Sequence, residues 1–390
     1  MHIDHPSLSW IASREDQSVL RLPGTDRAQP PSATLAMARR AAAKVGVTRV
    51  ADLTRLDTIG IATYQAVRPT ARTLSVSQGK GVTPELAMLS AMMEAIELWH
   101  VEQPMTPALR AAPRDVKDQL SYPIEALAPS TPTVLHDGLP LDWLPATSLV
   151  DGSSTLVPVD VVRLSLEQKT DWNPPAFFES TNGLASGNTL VEATLHALYE
   201  VIERDAMTAA VTSGGEPGVC VDPRTLRSPL VDELCSMIEA AGVSLEVRLV
   251  PSRTALPCFL AWVACDDYPA EMYGFGCHLS AEIALTRAIT EAAQTRLSYI
   301  SGARDDLKAD VDDAGSKRRR QPDGQAADLA GLLSEPVRHD RLLDNLEYVV
   351  RQAATAFSSA PVMVDLSNAE IGVPVVKVVA PGSRICPEVL

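Results

Sequence analysis

The sequence predicts a mixed α/β fold, and three observations carry that expectation. A strand, a glycine-rich turn and a helix follow one another twice, at 71–100 and 175–209. Hydrophobic residues make up 46% of the 390 residues, enough to bury a sizeable core. No apolar run approaches the roughly 20 residues that a membrane-spanning helix needs. At about 150 residues per domain, the length suits either about two to three domains or one large α/β unit.

The elements follow in chain order. Residues 1–35 are polar, with prolines at 23, 30 and 31, and read as an irregular N-terminal arm. Residues 33–48 are alanine-rich with helical spacing. Residues 71–78 alternate like a strand, and Gly79-Lys80-Gly81 reads as a tight turn. Thr83 is a good N-cap and Pro84 suits the first helical position, so a helix is predicted to about His100. Residues 102–178 are proline-rich and read as loops and edge strands. A second glycine turn, 180–188, leads into a helix over 190–209. Strands are predicted within 244–279, and Ser280 caps a helix over 281–301. Residues 303–325 turn from acidic to basic (Lys317 to Arg320) and read as a solvated loop, not a nucleic-acid patch. A helix over 341–356 and a strand over 373–380 close the chain.

Charge narrows the function. With 34 Lys+Arg against 49 Asp+Glu the formal net charge is −15, which argues against gripping nucleic acid through overall charge. A local anion site stays open, because glycine turns into helix N-termini can hold phosphate. The start, MHIDHPSLSWIASRED, has no basic segment followed by an apolar core. The six cysteines contain no C-x-x-C and read as buried free thiols. Together these features lead to the expectation of a cytoplasmic protein. The seven histidines contain no H-x-x-x-H pair, which argues against a zinc site.

Two helices carry an unusual carboxylate pattern. On the first, Glu94 and Glu97 lie within about 40° of Ser90, beside the apolar arc of Leu86, Leu89, Met93 and Ile96. On the second, Glu192, His196, Glu200 and Glu203 share a stripe about 80° wide, with Arg204 on its other side. A solvated flank is the alternative for the first helix. Thr189 to Glu192 is also a capping box. If both stripes face one cleft, five glutamates need protons or a cation. Oxygen-only ligands point to Mg2+ with substrate phosphates, and Lys80 or Arg204 would offset the phosphate charge. On the third helix Arg287 and Glu291 are spaced as a surface i,i+4 pair.

Three segments, 77–97, 180–206 and 285–306, together resemble the YcaO family. The resemblance spans roughly residues 20–380, leaving 1–19 as an N-terminal arm and 20–390 as one composite catalytic domain. It implies a mixed α/β fold with an ATP site between helices. It also implies ATP- and Mg2+-dependent phosphorylation of a peptide amide oxygen, in the making of a ribosomally synthesised, modified peptide. The family's pattern assigns Glu94, Glu97, Glu192, Glu200 and Glu203 to Mg2+. It assigns Arg27, Thr34, Ser90, Asn188, Arg204, Gln294 and Arg296 to ATP, with Lys80 in the shared Gly-Lys-Gly segment. A homodimer, a precursor-peptide substrate and a peptide-delivering partner are implied by the same resemblance.

Two departures refine the activity. The family's common Glu-Arg is Glu97-Leu98 here, as in the subset that works with a TfuA partner. The chain ends Arg-Ile-Cys-Pro-Glu-Val-Leu, without the proline-rich tail of azoline-forming members. It also has no spare N-terminal stretch for a peptide-clamp domain. The resemblance therefore implies thioamide formation with a TfuA-like partner. The alternatives are azoline or macroamidine cyclodehydration, or a non-catalytic ATP-binding accessory role. The residues offer no clear general base.

Overall fold

The computed structural model describes residues 8–13, 16, 18–130, 133–164, 176–214, 216–266, 272–303, 326–334 and 336–386. The hairpin β1 (Leu20–Leu22) and β2 (Thr25–Arg27) precedes helix α1 (Pro31–Lys44). Strands β3 (Arg49–Asp52), β4 (Thr63–Val67) and β5 (Val76–Lys80) form an antiparallel sheet, backed by α2 (Pro84–Glu102). Then come β6 (Leu109–Ala111), α3 (Pro113–Val116), β7 (Leu141–Ser148), β8 (Ser154–Pro158), β9 (Leu184–Ser186) and α4 (Leu190–Thr212). They are followed by β10 (Val219–Asp222), α5 (Pro229–Ala240), β11 (Ser244–Val250), β12 (Cys258–Ala264), β13 (Met272–Cys277) and α6 (Ala281–Ser301). Last are β14 (Ala327–Asp328), α7 (Leu329–Leu332), α8 (Leu342–Phe357), β15 (Val362–Asp365) and β16 (Val375–Val379).

Two larger sheets carry the remaining strands. One runs β13-β12-β11-β10-β14, the other β6-β7-β15-β16-β9 with β8 on β7. Helix α4 lies on β9 and β16 and against α8, and α6 lies on β12 and β13. Both helices are largely apolar, so their inner faces build the two main cores. The polar residues of α2, α4 and α6 are left along the edges of those packed faces. No described helix is long and apolar enough to cross a membrane.

The helix starts follow from local chemistry. Thr83 Oγ1 accepts from Leu86 N at 3.3 Å, and Thr189 Oγ1 from Glu192 N at 3.1 Å. Each satisfies a backbone donor that the first turn leaves open. Ser280 is the residue before α6 but makes no side-chain cap; its own N–H donates to His278 Nδ1 at 3.0 Å.

Several expectations are corrected. The N-terminal arm is not uniformly irregular: 20–27 is a hairpin and α1 begins at Pro31. Leu8 is fully buried in the core around α4. Gly79 and Lys80 lie in β5, not in a turn. A Cβ on Gly79 would run into the backbone of Ala87 and Ala91, so the glycine serves strand-on-helix packing. The proline-rich stretch contributes β7, an internal strand, because its apolar positions pack into a core of their own. Helix α5 and strand β15 were not foreseen. No disulfide joins the six cysteines, but Cys220, Cys265 and Cys386 are only half-buried. The basic run Lys317 to Arg320 lies outside the described residues.

Candidate active site

Helices α2, α4 and α6 and the strand end at Lys80 bring most of the sequence-predicted residues together in three neighbouring groups. The first joins the N-terminal hairpin to the start of α4. Glu192 Oε2 accepts from Ala28 N at 2.8 Å, and both Glu192 oxygens take Asn188 Nδ2, at 3.0 and 3.1 Å. Asn188 Oδ1 in turn accepts from Thr34 Oγ1 at 2.8 Å. Arg27 Nε lies 3.8 Å from Glu192, and its Nη1 contacts His196 Nε2. The capping box is thus half made: Thr189 caps Glu192, but the Glu192 carboxylate turns to Ala28 and Asn188.

The second group lies between α2 and α4. Glu97 Oε1 accepts from Ser186 N at 2.8 Å and from Ser186 Oγ at 2.5 Å. Burial pushes the Glu97 carboxyl up to about 8; the Ser186 hydrogen bonds oppose this, and the nearby charges of Glu94 and Glu200 add to it. Glu200 is pushed up to about 7, chiefly by burial and also by Glu203, against the pull of Arg204, Lys377 and Arg287. Ser90 sits half-buried on α2, one turn before Glu94.

The third group joins α4, α6 and β5. Lys80 Nζ meets Glu291 Oε2 at 2.6 Å. Burial and the charge of Glu291 raise the Glu203 carboxyl, against Arg204, Arg287 and Lys80. Glu291 itself is penalised by burial, but Lys80 and Arg204 outweigh that and hold it below its usual value. The Arg204 guanidinium lies over the Phe275 ring, 5.6 Å from its centroid. Gln294 Oε1 is buried without a hydrogen-bond partner among the described residues.

One expected residue stands apart. Arg296 projects from another face of α6, where Nε meets Asp57 at 2.9 and 3.1 Å and Nη1 meets Cys265 Sγ at 3.0 Å. The expected Arg287–Glu291 surface pair gives way to Lys80–Glu291, because α6 turns this face toward β5 and not toward solvent. Sequence reasoning left Glu291, Arg287 and Lys377 out of the site, and set His196 on the glutamate stripe without giving it a role. Lys377 had a readable signal, a charge inside the apolar run Val-Val-Lys-Val-Val; burial lowers its amine to about 8, against the charge of Glu200.

The donor set fits a hard divalent cation. Glu97 and Glu200, half-buried, and Glu203, buried, are oxygen donors whose carboxyl values are raised chiefly by loss of solvation and further by neighbouring carboxylates. Among the described residues no three such side chains already converge as a closed metal set. Mg2+ does not need one, since it takes one or two carboxylates and completes its shell with water and phosphate. The buried Gln294 acceptor and the cations Lys80, Arg204 and Arg287 suit a polyanion bearing hydrogen-bond donors.

Comparisons with known proteins agree with this chemistry. Residues 78–384 match the family model described as YcaO cyclodehydratase, ATP- and Mg2+-binding. An uncharacterised Mycobacterium tuberculosis protein is 37% identical over 378 residues, covering 95% of this chain and 85% of its own. An uncharacterised protein of the tfuA 3′ region in Rhizobium leguminosarum bv. trifolii is 36% identical, covering 72% and 69%. The fold matches the structure of YcaO from Methanopyrus kandleri bound with AMPPCP and Mg2+, with a TM-score of 0.75, 23% identity and 94% of each chain covered. The chain therefore belongs to the YcaO family, and ATP and Mg2+ are its cofactors.

Proposed function

We propose that this protein activates a peptide backbone amide by ATP-dependent phosphorylation of its oxygen, and that external sulfide then replaces that oxygen to give a thioamide. The observation that carries the activation step is the row of poorly solvated glutamates, Glu97, Glu200 and Glu203, with Arg204 and Arg287 acting on the latter two and Lys80 on Glu203. An amide oxygen is a poor leaving group. ATP with Mg2+ supplies a phosphoryl group that turns it into phosphate, as phosphoryl transfer does generally. In balance, amide plus hydrogen sulfide plus ATP gives thioamide, ADP and phosphate.

The chain's residues then have defined tasks. Glu94, Glu97, Glu192, Glu200 and Glu203 hold the metal ions, with Ser186 orienting Glu97. Lys80, Arg204 and Arg287 offset phosphate charge in a place where low dielectric makes each cation effective. Arg27, Thr34, Asn188, Ser90 and Gln294 position the nucleotide. Arg296, clamped by Asp57, holds α6 from behind. These side chains lie within one composite catalytic unit.

The relative from the tfuA 3′ region supports a TfuA-like partner. So does Leu98, which is buried where the common family pattern has arginine. The family's description as cyclodehydratase favours a second reading, in which an internal Cys, Ser or Thr attacks to give an azoline. Mass spectrometry of the reacted peptide separates the two: thioamide formation adds about 16 Da, whereas cyclodehydration removes about 18 Da. An unchanged peptide mass with the purified TfuA-like partner, sulfide and ATP would count against both and favour an accessory role.

A further inference from the structure

Lys377 is a charge in a place that favours none. Strand β16 reads Val-Val-Lys-Val-Val and runs inside the six-stranded sheet between β15 and β9. Lys377 pairs with Val364 on one side and Leu184 on the other. Its side chain is among the largest fully buried ones, at 2% exposure. Burying an ammonium costs several kcal/mol unless it is paired and hydrogen-bonded. A residue that breaks the pattern of an otherwise consistent element marks a functional position more often than a structural one.

Its contacts show what it holds. Nζ donates to Ser180 O at 2.6 Å. Ser180 opens the turn that passes through Gly183 into β9, and Val378 N donates back to Gly183 O at 2.8 Å. That short strand carries Ser186, whose N–H and hydroxyl both bind Glu97. Helix α4 packs on β16 through Val376 and Val378, and the charge of its Glu200 acts on Lys377 without a direct hydrogen bond or ion pair between the two. Arg204 and Arg287 act on Glu200 too, but they also serve Glu203. Lys377 therefore stands between the segment that orients Glu97 and the helix that carries Glu200.

We propose that Lys377 is a positioning residue of the nucleotide–metal site, holding the Ser180–Ser186 segment in place so that Glu97, bound by Ser186, serves the same cation as Glu200. This rests on the reading of those glutamates as Mg2+ ligands. It goes beyond that reading by assigning a role to a residue outside the three motif segments.

The test uses the full chain with Lys377→Met and Lys377→Arg, and AMPPCP binding titrated against Mg2+. Methionine keeps the length and apolar packing of the stem and removes the charge. Groups that orient metal ligands typically change metal affinity by about tenfold to a hundredfold when removed. Lys377→Met is expected to raise the Mg2+ needed for half-maximal AMPPCP binding by at least about tenfold. Its thermal midpoint should fall, because the Ser180 carbonyl loses its buried donor and Glu200 loses a nearby positive charge. Lys377→Arg should restore the Mg2+ requirement to within about threefold of the unmodified chain. A wild-type Mg2+ requirement in Lys377→Met overturns the proposal, whether or not that variant is less stable. Glu203→Gln in the same titration separates the two claims. If it keeps its Mg2+ response, the glutamate reading fails; if it alone loses it, only the Lys377 role fails.

Discussion

Without divalent metal, raising the pH from about 6 to about 7.5 should remove about 2 kcal/mol of stability through Glu97 alone, and Glu97→Gln should abolish that part of the loss. Burial, with help from Glu94 and Glu200, raises Glu97 from 4.5 to about 8 in the folded chain. Between those values the folded protein holds a proton that the unfolded chain has released. Stability then falls as pH rises: the contribution is complete below about 4.5 and is lost through about 8. One proton corresponds to about 1.4 kcal/mol per pH unit, which sets the figure for this window. Glu200, raised to about 7, acts in the same direction over the lower part of it. Lys377, lowered to about 8, affects stability mainly above the window. The assay is urea denaturation in EDTA at the two pH values, for the unmodified chain and Glu97→Gln. Saturating Mg2+ with AMPPCP should flatten the dependence, since the cation takes over from the proton. A slope that is the same in both proteins would refute the assignment of the buried proton to Glu97.

Two further substitutions divide site chemistry from scaffold. Lys80→Met strands Glu291, which is 19% exposed, and should cost about 1–3 kcal/mol in urea denaturation while weakening AMPPCP binding. Adding Glu291→Gln should recover most of that stability without recovering nucleotide affinity. Arg296→Met should cost about 3 kcal/mol, because it leaves Asp57 buried at 3% exposure without its partner. Its AMPPCP affinity should stay within about threefold of the unmodified chain, since a scaffold loss of that kind acts on folding and not on the site; a selective loss of affinity would instead place Arg296 at the nucleotide.

The helices of the site were legible because their signals are local. Thr83 and Thr189 cap at short range, and the spacing of Glu94 and Glu97, or of Glu192, Glu200 and Glu203, fixes a shared face whatever the tertiary context. What the spacing could not supply was direction. Arg287 and Glu291 obey the surface-pair rule, yet α6 packs on β12 and β13 and turns Glu291 to Lys80, more than 200 positions away in the chain. Arg296 lies only two residues from Gln294, and helical geometry alone sends it to a different neighbour, Asp57. Lys377 stood out as a charge in an apolar run, but its role was not legible. It belongs to no motif segment, and Ser180, which it binds, and Glu200, whose charge acts on it, come near only after the chain has folded. The strand boundaries suffered most in the glycine-rich stretches, where Gly79 and Lys80 looked like a turn and proved to be strand.

That misread glycine links the packing to the chemistry. Strand β5 lies so close to α2 that a Cβ on Gly79 would fall inside van der Waals contact of Ala87 O and Ala91 N, both backbone atoms. Gly274 and Gly276 do the same for β13 against α6. Close approach of this kind excludes water from the helix edges, and exclusion of water is the leading cause of the raised carboxyl values of Glu97, Glu200 and Glu203. The glycines thus help set the electrostatics of glutamates they never touch. Gly79→Ala must move α2 off β5, and it carries Glu94 and Glu97 with it. The expected result is a loss of several kcal/mol in stability together with weaker Mg2+-dependent AMPPCP binding in the fraction that remains folded. The pH dependence assigned to Glu97 should shrink in the same variant, because water then reaches its carboxyl. A Gly79→Ala protein that keeps the full pH slope and full nucleotide affinity would show that strand–helix contact and site electrostatics are independent.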